Sequence, residues 1–175
     1  MLGRSLRLAL RGAQVAPQKH SQTAIASSLN DRVAREHLVQ SAELAALWIA
    51  FCMRSKQAMT AHLLAAVAGN PQQAEAVGLI GGSLENLDRE IRTFLDAHAP
   101  KYQHAVLPER TRGLVKATRR IGDGASFPAI LATDARYEYL AAMLRRNGFA
   151  ACLPPPPYSL KQRAARLFGL SARST

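Results

Sequence analysis

The sequence predicts a mainly α-helical protein, a helical bundle with a basic C-terminal half, and three observations carry that expectation. Between Asp31 and Ala68 there is neither Gly nor Pro, so nothing in the chain interrupts a helix there. Val33, Leu44, Leu47, Trp48, Phe51, Met59, Leu63, Leu64 and Val67 recur mostly at three- and four-residue steps, the period of one helical face. Stop and start signals then punctuate the chain at Gly69-Asn70-Pro71, Gly81-Gly82-Ser83 and Asn147-Gly148. At 175 residues and 48% hydrophobic, the chain is long enough for one domain with one core.

The first element is a long helix, or two stacked ones, over residues 31–68, with Asn30 as the expected N-cap and Asp31 in the first turn. Arg54-Ser55-Lys56 is the natural place for a break. The apolar run Leu44 to Met53 ends at Arg54, well short of the roughly 20 residues a bilayer span needs, and predicts a buried helix centred on Trp48. Asn70 caps a short helix that carries Pro71 at its first position and extends to about Ile80. Ser83 caps the next, where Leu84, Leu87, Ile91, Phe94 and Leu95 form an apolar seam opposite the supportive pairs Glu85–Arg89 and Asp88–Arg92. These elements define a helical core over residues 29–100.

Residues 101–153 form the basic half of the same domain. A helix over Glu109–Ile121 is expected to show a cationic face, with Leu114, Val115 and Ile121 as its apolar anchors. The apolar run 127–132 reads as a brief strand or extended segment, and residues 149–153 allow a second, giving one short strand pair. Between them Asp134 caps a helix carrying Tyr137, Leu140, Met143 and Leu144, stopped by Asn147-Gly148. Over 154–175, Pro154 to Pro157 makes a polyproline spacer ahead of a basic terminal helix, residues 159–168.

Charge is distributed unevenly. The whole chain is +11; residues 1–30 carry four basic and no acidic side chains, and residues 101–175 carry thirteen basic and four acidic. Arg4, Arg7, Arg11 and Lys19, alternating with leucines and free of carboxylates, have the composition of an organelle transit peptide or of a basic arm over residues 1–28. Interruption of the leucines by arginines fits a secretory signal poorly. The basic C-terminal half points to a polyanionic or acidic partner. The residues expected to meet it are Arg110, Arg112, Lys116, Arg119 and Arg120 on one helix, and Lys161, Arg163 and Arg166 on the terminal one. Aromatics near them are scattered, which disfavours a stacking platform and favours backbone contacts.

No residue pattern nominates a catalytic centre. His20, His37, His62, His98 and His104 form no HxxxH or HExxH spacing, although a fold-back of the first helix would bring His37 and His62 together. Ser83 and Ser126 lie in glycine-containing turns without a GxSxG or P-loop context, and Asp123 lacks the further ligands of a calcium loop. Cys52 and Cys152, a hundred positions apart, read as free thiols of a reducing compartment.

The expected protein is therefore not an enzyme and needs no cofactor or metal. It is an accessory or structural subunit of a larger mitochondrial assembly, either the ribosome or a respiratory or ATP-synthase complex, bound through RNA phosphate or an acidic protein surface. The alternative is a bacterial DNA-binding regulator or transfer protein from a GC-rich genome, acting in the cytoplasm.

Overall fold

The computed structural model describes residues 19–104 and 106–154, with side chains from residue 30 onward. It is a bundle of seven helices clamped by one two-residue strand pair: α1 (Lys19–Cys52), β1 (Gln57–Ala58), α2 (Thr60–Ala68), α3 (Pro71–Ala76), α4 (Leu84–His98), β2 (Glu109–Arg110), α5 (Arg112–Gly122), α6 (Phe127–Thr133) and α7 (Glu138–Arg146). The expected terminal helix lies outside the described residues.

The expected cap at Asn30 is not formed, because α1 starts at Lys19 and runs straight through it. Pro17 is the last helix breaker before Ala68, so the chain supplies no reason to start a helix as late as residue 31. The helix ends where the sequence offers a break. Arg54 takes φ 55°, Ser55 N–H bonds back to Ala50 O at 2.8 Å, and α2 folds back against α1.

Helix α2 is the centre of the molecule: every residue from Thr60 to Ala68 is buried. Against it lie Ala42, Ala46 and Ala50 of α1, a small-residue line that lets the two helices approach closely. Leu87, Ile91 and Leu95 of α4 cover another side, as their spacing predicts, and the pairs Arg89–Glu85 and Arg92–Asp88 both form at 2.7 Å on its outer face. Asn70 caps α3 through Gln72 and Gln73 N–H, and Ser83 caps α4 through Asn86 N–H. Helix α3 stops at Ala76 rather than near Ile80 because Gly78 turns left-handed at φ 81° and Leu79 N–H returns to Ala74 O.

The strand pair exists, but not where the apolar runs placed it. Residues 127–132 belong to α6: Pro128 sits in its first turn, where its missing N–H costs nothing, and Phe127, Ile130 and Leu131 bury one helical face. After α7, Gly148 at φ 88° lets Phe149 N–H bond to Leu144 O, so Phe149 drops into the core and residues 150–152 form a 3-10 turn. The actual strands are β1 and β2, parallel, with Gln57 opposite Glu109 and Ala58 opposite Arg110. They tie the end of the α1–α2 turn to the start of α5.

Trp48, expected in the core, is instead 66% exposed, as is Leu44. Only one face of the run Leu44 to Met53 is buried, and it is the alanine face. Among the described residues no helix is long and apolar enough to cross a membrane.

Candidate polyanion-binding surface

Helix α5 is built as the basic face requires. Thr111 caps it, its Oγ1 accepting from Leu114 N–H at 3.2 Å and donating to Ala58 O at 3.0 Å, which fixes the helix start to β1. Leu114, Ala117, Thr118 and Ile121 are buried. With that face fixed, Arg112, Lys116 and Arg119 fall on the opposite side at four- and three-residue steps, all exposed. The expected anchor Val115 lies among them, 48% exposed.

The five basic residues expected on this helix do not act as one set. Arg110 belongs to β2, one residue before the cap, and pairs with Glu43 of α1 at 3.1 Å. Arg120 is half-buried on the flank of α5. Lys116 reaches Asp134 at 3.4 Å, and Asp134 takes a much closer bond from Arg136 at 2.7 Å. The Arg136 guanidinium therefore holds the Asp134 carboxyl well below the usual carboxylate range. Among the described residues Arg112 and Arg119 make no ion pair. The exposed basic stripe is Arg112, Lys116 and Arg119, and Asp134 links Lys116 to Arg136, a neighbour not expected from the sequence because α6 separates it from α5. The signal that would have found it is the local pair Asp134 and Arg136, two residues apart. Lys161, Arg163 and Arg166 lie outside the described residues.

A second cationic group sits at the other end of the strand pair. Lys56, Lys101, Tyr102, Gln103, His104 and Val106 line a depression of about 500 Å³, with Lys56 Nζ 5.3 Å from the centre of the Tyr102 ring. Lys101 also pairs with Asp96.

The histidines resolve differently from one another. His37 is exposed on α1, whereas His62 is fully buried and faces Ser55. Met59 N–H donates to His62 Nδ1 at 3.0 Å, so Nε2 carries the proton and donates to Ser55 Oγ at 3.2 Å. This His–Ser pair is not a base and nucleophile: the ring donates to the hydroxyl, and both side chains are sealed from solvent. Burial lowers the His62 pKa to about 4. Among the described residues no group of three His, Cys, Asp or Glu side chains is placed to hold a metal ion. Cys152 Sγ donates to Ile80 O at 2.7 Å, across 72 positions of the chain, and Cys52 is exposed.

No known family matches the chain. No curated protein and no solved structure is significantly similar to it.

Proposed function

We propose that the protein is a non-catalytic binding subunit of a larger mitochondrial assembly, and that α5 is the face it turns to a polyanion. The observation that carries this reading is the alignment of Arg112, Lys116 and Arg119 on the open side of a helix whose other side is locked into the core. Phosphate recognition needs clustered guanidinium and ammonium groups on a rigid support, and no base-reading geometry. The RNA backbone of an organellar ribosome fits that chemistry. The acid-free residues 1–30 support import.

The test has two arms. A fluorescent reporter fused to residues 1–28 is expected to reach mitochondria; a cytosolic reporter removes the compartment from the proposal. The full chain is expected to bind RNA with an affinity that falls steeply with salt, and the variant Arg112→Gln/Lys116→Gln/Arg119→Gln to bind more weakly with a flatter salt dependence. An acidic protein partner replaces RNA if the variant leaves nucleic-acid binding unchanged yet no longer joins its native complex.

A further inference from the structure

The side of α1 turned away from the core carries a seam of its own. Val33, His37, Gln40, Leu44, Leu47 and Phe51 are spaced 4, 3, 4, 3 and 4 residues apart, the heptad spacing of a coiled coil. Val33, His37, Gln40 and Leu44 are exposed, Val33 at 50% and Leu44 at 66%, while Leu47 and Phe51 are partly buried, Leu47 against the edge of the core. Trp48 flanks the seam, also 66% exposed, with its ring stacked on Phe51 at 5.7 Å. The opposite, alanine face of the same helix is the one packed on α2. From Asn30 to His37 every residue is exposed, and of these Arg35 reaches back to the body, lining a depression with Glu75, Gly78 and Gly124. A helix of this kind gains little from propensity alone and is held by packing of an apolar stripe.

We infer that this seam pairs two copies of the chain as a parallel two-stranded coiled coil. In a parallel pair each residue of the seam meets its own counterpart. Polar His37 and Gln40 then lie against His37 and Gln40, and apolar Leu44, Leu47 and Phe51 against themselves. An antiparallel pair over the same length sets the polar layers against the apolar ones. Buried polar layers of this sort fix register at a cost in stability. Charge permits the pairing: residues 30–53 carry Asp31, Glu36 and Glu43 against Arg32 and Arg35, in a chain that is +11 overall. Glu36 is neutralised by Arg32 and Glu43 by Arg110. Along the described part of α1, the seam is thus a surface on which two strongly cationic molecules meet without like charges opposed. It covers three heptads, about 32 Å of helix, near the lower limit for a stable coiled coil, so the pair is a concentration-dependent dimer.

The test is sedimentation of the full chain from 1 to 100 μM at low and at physiological salt. A monomer–dimer equilibrium is expected. Leu44→Glu/Trp48→Ser, both at well-exposed positions, is expected to weaken it about 100-fold while leaving the circular dichroism spectrum unchanged. Orientation is read with Leu44→Cys placed in a Cys52→Ser/Cys152→Ser background, where mild oxidation is expected to link residue 44 to residue 44 of the second copy. A monomer throughout the concentration range overturns the proposal. So does a dimer that survives Leu44→Glu/Trp48→Ser, because it uses another face. A dimer that is broken by those substitutions but fails to cross-link at residue 44 overturns the parallel register.

Discussion

His62 shows how much one side chain contributes when its surroundings are dry. It closes the N-terminus of α2 by accepting from Met59 N–H, the role a Glu or Gln plays in a capping box, and it satisfies Ser55 with its other nitrogen. It is held neutral, its pKa lowered from 6.5 to about 4 by burial. A depressed folded-state value means that the stabilisation is complete above about pH 6.5 and is lost as pH falls toward 4. The loss from this one group amounts to about 3 kcal/mol over that window, and urea unfolding at a series of pH values measures it. His62→Gln is expected to be less stable at neutral pH and to show a flatter acid limb.

Two further residues make opposite predictions. Trp48, which the sequence places in the core, is exposed on the single chain, so Trp48→Ala, measured at a concentration where the chain is monomeric, is expected to cost under about 1 kcal/mol rather than the roughly 3–5 kcal/mol of an enclosed aromatic. Gly82 is inconspicuous in the sequence as half of a Gly-Gly turn. A Cβ there would lie 2.4 Å from Asn147 O and 2.5 Å from the Phe149 ring. That carbonyl accepts from Ser83 N–H at 2.9 Å and cannot retreat freely. Gly82→Ala is expected to cost about 1–3 kcal/mol in the same measurement.

Among the elements, those with strong local signals were legible and those fixed by pairing were not. Ser83 with the Leu87, Ile91 and Leu95 spacing, and Asn70 with Pro71, specify α4 and α3 because a cap and a repeating apolar face are local properties. The start of α5 was misplaced by three residues. Glu109 and Arg110 have no local preference that outweighs the hydrogen bonds of Glu109 N–H to Lys56 O and Thr111 N–H to Ala58 O, from more than fifty residues away. That shift also decides the candidate surface, since it takes Arg110 off the helix and gives it to Glu43. The short apolar run 127–132 was ambiguous between strand and helix by its nature, and Pro128 in a first turn settled it. The cationic stripe itself is expected to be separable from stability. Arg112→Gln/Lys116→Gln/Arg119→Gln should unfold within about half a kcal/mol per site of the parent, because the replaced groups are exposed. Denaturant midpoints check this before any binding result is interpreted.

At the scale of the whole molecule, the buried side chains of α1, α2 and α4 to α7 form one continuous cluster around α2. The N-terminal core and the described part of the basic half share that cluster, so unfolding is expected as a single transition, coincident by far-ultraviolet circular dichroism and by tyrosine absorbance. Leu64→Ala at the middle of α2 is expected to lower stability by about 2–5 kcal/mol and move both signals together. Separated transitions would show that the two halves fold independently.

The sequence by itself determined the helical class, the caps at Asn70 and Ser83, the apolar face of α4, and the concentration of positive charge in the second half. Each follows from residues within a turn or two of one another, or from composition. Only the tertiary structure decided which face of α1 is core. Its apolar face and its alanine face both recur at helical spacing, and burial went to the alanines because α2 can approach them closely. That choice leaves Trp48 and Leu44 in solvent, and it reduces five clustered basic residues to a three-residue stripe joined by Arg136. Neither outcome follows from spacing alone, because a helix carries its periodicity on every face and only its neighbours select one.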